Sequence, residues 1–500
     1  MLVLLSVTLL LGLIQAQTVK LFVGTAELES HIPATLSQLF QQSKNFCTTA
    51  SSETIGVQPH RCQWVVAGSL LNALPPTTQK QFLQQKHIAT GIFDGITKGK
   101  SGDSRSTTHP TILFLLHDAK IDKVNGGLIG SIEAAIGLQS LGYTVHIAIL
   151  QNSVDFISQN FPLANELLLP YDHFQDEISI KSHEYNIVVA TYFPTLWMAI
   201  GMVERSNSDA SSLPPRVIYF AQDYEPLFDN LPKAVAAAAS LSYVYASNLV
   251  TIVSYSSWVL STIKKNHGVS GKMVSCHPRL PLISRPKDST FSMGTNDKDI
   301  VVVAMIRPAT PRRAPVRTLS TLYRLWKKIS NTKNARSIKI VTFGCTHDEM
   351  QSLASKTWKT RYLSSWWSSK SNCAWPWLKH VGLLNHTQVH ELFQQSDIFL
   401  DVSTWQAYGF SSQESMLNGV VPVVVGNGGV TDFVDDKQNS FVVDNEDGAV
   451  DALTKLIVDK TGMLRRMQNE AKQKISARTR KSTALSWELM LSPFLSSNLS

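Results

Sequence analysis

The sequence has few cysteines, few charged residues and, beyond its first residues, no long apolar run. Its five cysteines are dispersed over 500 residues, which excludes a disulfide scaffold and a cysteine-based zinc site. Only 17% of the residues are charged and 43% are hydrophobic. This balance excludes a mostly disordered chain and supplies side chains for more than one core. A spanning helix needs about 18 apolar residues, so we expect no transmembrane span after the N-terminus.

The charge balance is mildly basic. Lysine and arginine outnumber aspartate and glutamate by 46 to 38, which gives a net charge of +8. The basic residues are scattered along the chain, which is not the pattern of a nucleic-acid-binding surface. We therefore expect no nucleic-acid partner, whereas an anionic small substrate suits this balance.

The N-terminus resembles a secretory leader. Leu2–Ile14 is almost entirely apolar, and the length of this run is typical of a signal peptide rather than of a spanning helix. We expect residues 1–16 to be cleaved, with an uncleaved anchor or a misassigned start as alternatives. The expected location is the lumen of the endoplasmic reticulum or Golgi, or outside the cell, where Cys47 and Cys62 could pair. Two N-glycosylation sequons are compatible with that route: Asn385-His386-Thr387 and Asn498-Leu499-Ser500.

The next segment, residues 17–108, is rich in Gln, Ser and Thr, and we interpret it as a mostly helical accessory segment that ends in a linker. The pattern then changes to short apolar runs separated by helical stretches. This alternation predicts a parallel α/β sheet in a domain of residues 109–285. Its predicted strands are Thr111–Leu116, Val145–Leu150, Asn186–Ala190, Arg216–Phe220 and Leu249–Val253.

A Pro- and Ser-rich linker at residues 278–296 precedes a second alternation, which predicts a domain of residues 297–475 and a C-terminal helix, 476–500, packed back toward the first domain. The sequence thus predicts two doubly wound domains that face a cleft, with ligands at the carboxyl ends of their strands. The predicted strands of the second domain are Asp299–Ala304, Ile338–Thr342, Asp397–Leu400, Val421–Val425 and Phe441–Val443.

Two loops carry features that suit a phosphate group. Asn125-Gly126-Gly127 follows the first strand, and its glycines would let backbone N–H groups approach a phosphate, although an ordinary tight turn explains them equally well. It is not the G-x-G-x-x-G of nicotinamide enzymes, which disfavours a dehydrogenase. Arg307, Arg312 and Arg313 follow the first strand of the second domain, and arginines held between prolines suit a diphosphate. The alternative is a solvated basic loop.

A third stretch runs from Asp401 through a glycine turn into a short helix that contains Glu414. A carboxylate near a helix N-terminus is stabilised by the helix dipole alone. The same carboxylate, if it faces a cleft, would bind the vicinal hydroxyls of a ribose.

These residues carry a resemblance to retaining glycosyltransferases of family 4, which have the GT-B fold. The family has two glutamates separated by seven residues, then a Gly and a Pro-Val-Val strand. This chain has Gln406 and Glu414 at that spacing, followed by Gly419 and Val421–Val425. The likeness spans residues 110–475, and 221–226 resembles the corresponding stretch of rhamnosyltransferase-like members.

The resemblance implies a role for each matching residue. Arg307 and Arg312 would neutralise the donor diphosphate without a metal ion or other cofactor, and Glu414 would bind the ribose. Gln406 would contact the donor sugar or its phosphates, and Asp223 would act on the acceptor side. Further donor-binding positions are Gly126, Gly127, Tyr408, Gly409, Gly428 and Gly429.

The predicted function is transfer of a hexose or deoxyhexose from a nucleotide sugar to a glycan or other hydroxyl acceptor, with retention of configuration. The chain departs from the family pattern where the first glutamate is Gln406 and the second cation is Arg312. The alternative is therefore an inactive GT-B-like carbohydrate-binding protein. Five tryptophans between residues 358 and 377 suit sugar stacking, a membrane interface or simply a packed insertion. Oligomeric state is not predicted.

Overall fold

The structure is a computed structural model. It describes residues 68, 71–72, 76–83, 110–116, 126–171, 184–208, 214–228, 231–245, 250–278, 299–332, 337–358 and 377–496. Several predictions concern residues outside this description: the leader, Cys47 and Cys62, most of residues 17–108, most of the 278–296 linker, Asn125, Trp366, Trp367, Trp375, the Trp358 side chain and Asn498. Within residues 17–108, one helix is described, α1 (Pro76–Leu83).

The chain divides into two compact units. The first contains a seven-stranded sheet that is parallel throughout, with the order β3-β2-β1-β4-β5-β6-β7. Its strands are β1 (Thr111–Leu115), β2 (Thr144–Leu150), β3 (Leu168–Tyr171), β4 (Ile187–Ala190), β5 (Arg216–Phe220), β6 (Val250–Ser254) and β7 (Lys272–Met273). The helices that follow them in the chain are α2 (Gly126–Ser140), α3 (Val154–Asn160), α4 (Phe193–Ser208), α5 (Lys233–Tyr245) and α6 (Ser257–His267).

Helices cover this sheet because its central strands are apolar on both faces. β4 is buried along its whole length, as expected for a parallel strand between two helical layers. Helix α2 approaches closely at Gly130, where a Cβ would lie 2.8 Å from the Tyr255 ring. The C-terminal residues from Ala484 onward belong to this unit, and the fully buried Trp487 packs against Phe114 and Phe220.

The second unit comprises Ser256–Trp258 and Ser275–Thr483. Its six-stranded parallel sheet has the order β10-β9-β8-β11-β12-β13. The strands are β8 (Ile300–Met305), β9 (Ile338–Phe343), β10 (Lys379–His380), β11 (Ile398–Asp401), β12 (Val421–Val425) and β13 (Phe441–Val443). The helices are α7 (Pro315–Ser330), α8 (His347–Trp358), α9 (His386–Gln394), α10 (Phe410–Leu417), α11 (Glu446–Val458), α12 (Met463–Ser476) and α13 (Arg480–Ser496), of which α13 continues into the first unit.

Helix α7 shows how the pattern of the sequence places these helices. Leu319, Leu322, Leu325 and Ile329 recur at helical spacing and are buried against the sheet. On its outer side, Arg324 lies close to the Asp447 carboxylate of α11. Burial of this stripe, rather than the exposed ion pair, stabilises the packing.

The predicted α/β architecture is confirmed, and all ten predicted strands are present with bounds that shift by at most one residue. Three strands escaped prediction. β7 and β10 have only two residues each, and the middle of β3 is exposed and contains Pro170, so neither length nor periodicity marks them. Among the described residues, no helix has both the length and the apolar character needed to cross a membrane.

Candidate functional site

The order of the second sheet marks a position for a ligand. The chain forms β8, β9 and β10 toward one edge and then returns to place β11 on the other side of β8. At such a switch point the loops that follow the two central strands diverge and leave a crevice. The arginine loop follows β8, and the segment that contains Gln406 follows β11.

Arg307 lies near two other residues that were predicted for the site, Arg312 and Glu414. Burial lowers the pKa of Arg307 from its ordinary value, the neighbouring Glu414 carboxylate opposes that shift, and the nearby Arg312 charge reinforces it. An arginine remains protonated through such shifts. Arg307 is thus close enough to both the Arg312 guanidinium and the Glu414 carboxylate for their charges to act on it.

Arg312 is held by an aromatic stack. Its guanidinium carbon lies 4.4 Å from the centroid of the Trp405 ring, and that ring stacks on Trp258 at 5.1 Å with an interplanar angle of 18°. The backbone oxygen of Arg312 accepts a hydrogen bond of 2.8 Å from the Thr404 amide. The loops that follow β8 and β11 are therefore joined, and the cation–π contact limits where the guanidinium can lie.

Gln406 is buried, with 6% of its surface exposed. Its Nε2 donates to the carboxylate of Asp401 at the end of β11, whereas its Oε1 is enclosed and has no hydrogen-bond partner among the described residues. Asp401 also accepts a hydrogen bond of 3.0 Å from the Ser403 amide and lies 3.6 Å from Nη1 of Arg313. A buried acceptor without a partner is costly, so Oε1 is a candidate for a ligand hydroxyl.

The glycine turn after β12 packs on the backbone of Gln406. The Gly429 amide donates to the Gln406 carbonyl at 3.0 Å. Gly428 has a φ of +140°, and a Cβ on it would lie 2.2 Å from that carbonyl oxygen. A Cβ on Gly429 would lie 2.1 Å from the Ala407 carbonyl oxygen. Both positions therefore require glycine, which explains the Gly-Gly pair physically.

Glu414 lies in α10 and has 8% of its surface exposed. Its Oε1 is 3.6 Å from Nε2 of His386. The same nitrogen of His386 is 3.1 Å from His390 Nε2, and His390 in turn lies 2.9 Å from the Asn418 amide. Helical side chains lean toward the N-terminus of their helix, which directs Glu414 toward the crevice end of α10.

Tyr408 and Gly409 have conformational roles. The buried Tyr408 hydroxyl donates to the Cys276 carbonyl at 3.1 Å and accepts from Gln413 and Arg478, both at 2.8 Å. Because these three hydrogen bonds occupy the hydroxyl, Tyr408 would have to contact a bound nucleotide sugar through its backbone. Gly409 caps α10 with a φ of +98°, a left-handed conformation that favours glycine.

The first unit places its predicted residues at the carboxyl end of its own sheet. Gly126 and Gly127 open α2 after β1. Asp223 follows β5, is half-buried, and accepts from the Tyr224 amide at 2.8 Å. The adjacent Glu225 was missed by the sequence analysis: its buried carboxylate accepts from the Phe193 amide at 3.0 Å and the Tyr219 hydroxyl at 2.8 Å.

The sequence analysis also missed Asp401, Trp405 and His386 as partners of the site. Asp401 had a usable signal, since it is the only acidic residue in its strand and ends that strand beside the switch point. Trp405 and His386 had none, because a ring contact across two loops and an ion pair between two helices depend on the packed fold.

The comparisons with known proteins support the fold described above. Residues 376–474 match the family model described as Glycosyl transferases group 1. HepE from Anabaena, solved in complex with UDP-glucose, is 14% identical with a TM-score of 0.56, over 77% of this chain and 100% of that one. The fold is GT-B. Sucrose-phosphate synthase from Thermosynechococcus elongatus is 10% identical with a TM-score of 0.56, over 78% and 100% of the two chains.

A glycosyltransferase from Rickettsia africae is 14% identical with a TM-score of 0.55, over 79% of this chain and 100% of that one. The sequence matches no curated protein at a significant level. Structural similarity at such low sequence identity establishes a shared fold but does not identify the substrate of this protein. The expected fold is therefore confirmed, while the role of each residue stays a prediction.

Proposed function

We propose that this protein is a retaining glycosyltransferase that moves a hexosyl or deoxyhexosyl group from a nucleoside diphosphate sugar to a hydroxyl acceptor. One observation carries the proposal: Arg307, which follows the central strand at the switch point of the second sheet, lies close enough to both Arg312 and Glu414 for their charges to act on it. Two cations and a carboxylate match the diphosphate and the ribose of such a donor. The family 4 resemblance supports the retained configuration.

The proposed roles follow from the charges. As the bond between the sugar and the diphosphate breaks, negative charge grows on the leaving group, and the guanidinium groups of Arg307 and Arg312 stabilise it. Both are fixed cations, so the proposal needs no metal ion. Glu414 accepts hydrogen bonds from the ribose hydroxyls. The acceptor oxygen forms the new bond to the anomeric carbon as the bond to the diphosphate oxygen breaks, and the acceptor's proton passes to the departing diphosphate.

The remaining roles concern the acceptor and the cellular location. Asp223, Gly126 and Gly127 in the first unit serve the acceptor side and the phosphate, and the rhamnosyltransferase-like stretch 221–226 favours a glycan acceptor. The apolar run Leu2–Ile14, which we predict to be a leader, is the basis for proposing a place in the secretory pathway. Whether the acceptor is a glycan or another hydroxyl compound depends on residues of the first unit and not on the arginines.

The first experiment is a thermal-shift and transfer screen with UDP-glucose, the donor bound by HepE, and with other UDP-, GDP-, ADP- and dTDP-sugars. A true donor raises the melting temperature by mass action and releases nucleoside diphosphate when an acceptor is present. The double variant Arg307→Ala/Arg312→Ala is expected to lose both responses. Binding without any release supports the inactive carbohydrate-binding alternative. No shift with any donor overturns the proposal.

A further inference from the structure

Position 406 has an amide where the resembling family has a carboxylate, and the structure supplies a physical reason. The Gln406 Nε2 group donates to the Asp401 carboxylate. A glutamate in the same place would bring two carboxylates into contact inside the protein. Like charges at that distance cannot both ionise without a large cost, so an acid at 401 favours an amide at 406.

The local charges support the same conclusion. Asp401 has 8% of its surface exposed, and the guanidinium that faces it is that of Arg313, at 3.6 Å. The Asp401 carboxylate and the partly buried Arg313 guanidinium carry opposite charges, whereas a second carboxylate at position 406 would add a negative charge beside Asp401. Replacing Asp401 by a neutral residue would remove the carboxylate that faces the Arg313 guanidinium, which is itself destabilising.

The amide has only one orientation that satisfies Asp401. A carboxylate accepts hydrogen bonds and does not donate them, so Nε2 must face Asp401 and Oε1 must face away from it. Oε1 is buried and has no partner within the described residues. The glycine turn at Gly428 and Gly429 packs on the backbone of Gln406, which limits the movement of this residue.

We propose that Asp401 and Gln406 form one functional unit in which Asp401 supplies the negative charge and Gln406 presents Oε1 to a hydroxyl of the donor sugar. Asp401 is a positioning residue, since it acts through Gln406. A hydrogen bond from Nε2 to a carboxylate polarises the amide and strengthens Oε1 as an acceptor. This inference rests on the proposed function and assigns the sugar, rather than the nucleotide, to this pair.

The test is a charge swap, with turnover, KM for the donor, affinity for free nucleoside diphosphate and melting temperature measured for each protein. Asp401→Asn removes the charge, and Gln406→Glu doubles it. Each single change is expected to lower kcat roughly 10- to 100-fold, the loss expected for a hydrogen bond to a charged group. Affinity for free nucleoside diphosphate should stay within about twofold, because that part of the donor is bound elsewhere.

The double variant Asp401→Asn/Gln406→Glu restores one acid and one amide in contact. It is expected to recover most of the lost kcat, which a merely structural role for either residue would not require. The matched control is Asp435→Asn, which removes a half-buried carboxylate bonded to Asn439 and Lys474 in the same unit. This control should lower the melting temperature and leave kcat unchanged.

If Asp401→Asn fails to fold, Gln406→Ala keeps the inference testable, since it removes Oε1 and should lower kcat with little effect on nucleoside diphosphate affinity. An active Asp401→Asn with unchanged kcat, or a double variant no better than the poorer single variant, overturns the paired role and leaves the proposed function intact. A wild type that neither binds nor turns over any nucleotide sugar overturns both.

Discussion

The guanidinium of Arg312 lies over the ring of Trp405, with 4.4 Å between its central carbon and the ring centroid. Trp405 directly precedes Gln406, so one short segment after β11 positions both a cation and the buried amide. The indole limits the movement of a long side chain that would otherwise sample many rotamers in solvent. Arg312 is therefore preorganised beside Arg307 rather than free on a basic loop.

We expect Arg312→Ala to weaken binding of a nucleoside diphosphate by about 1.5–3 kcal/mol, the size of a charge-assisted hydrogen bond. Isothermal calorimetry measures this directly. Arg324→Ala is the matched control, because Arg324 belongs to the same unit and lies near the exposed Asp447 on the outer side of α7. Equal affinity for the wild type and the Arg312 variant would support the solvated-loop alternative.

Glu414→Gln should weaken the binding of a ribonucleoside diphosphate by about 1.5–3 kcal/mol. The reason is that a carboxylate accepts hydrogen bonds from two ribose hydroxyls better than an amide does. The same variant should bind a 2′,3′-dideoxy analogue as well as the wild type does, since that analogue lacks the hydroxyls. Glu470→Gln, at an exposed position of α12, is the control. If the variant loses the same binding free energy for both nucleotides, Glu414 acts by positioning Arg307 rather than by binding the ribose.

Gly428→Ala should destabilise the fold more than Gly462→Ala does. A Cβ at 428 would lie 2.2 Å from the Gln406 carbonyl oxygen, whereas nothing lies within 4 Å of a Cβ at 462. Gly462, with a φ of +79°, lies in the left-handed region, so Gly462→Ala gives the conformational cost of about 1–2 kcal/mol in that region without a close contact, whereas Gly428 combines a φ of +140° with the contact. Chemical denaturation should show a larger loss for Gly428→Ala, and equal losses would contradict the close packing of this turn on Gln406.

Glu225→Gln should become more stable relative to the wild type as the pH rises. Burial raises the pKa of Glu225 well above its ordinary value of 4.5, and the nearby Asp223 charge raises it further, although hydrogen bonds from Tyr219 and Phe193 oppose the shift. Between the unfolded and folded pKa values the native state binds the extra proton, so wild-type stability falls as pH increases, by about 1.4 kcal/mol per pH unit.

Denaturation of both proteins from pH 4 upward checks this dependence. The stability difference should grow above pH 4.5 and level off once the native carboxyl ionises. Glu166→Gln, which removes one carboxylate at an exposed position of the same unit, is the matched control. A difference that stays constant with pH would mean that Glu225 is ionised in the native protein over the whole range.

Much of this fold could be read from local pattern. The continuous apolar runs at Thr111 and Ile300 predicted strands buried on both faces, and the buried stripe of α7 follows helical spacing. These features depend on neighbours in the sequence, so the sequence alone was sufficient to predict them. Two-residue strands such as β7 have no such pattern, because they form only when the rest of the sheet offers an edge.

The site divides in the same way. The sequence by itself determined the residue types: arginines after a strand, an acid separated from Gln406 by seven residues, and glycines where no side chain fits. Only the tertiary structure decided that Arg312 lies on Trp405 and that Asp401 faces Gln406 and Arg313. The physical reason is that charge and aromatic contacts depend on distances of a few ångströms between loops far apart in sequence. The strand order sets those distances by returning the chain to place β11 beside β8.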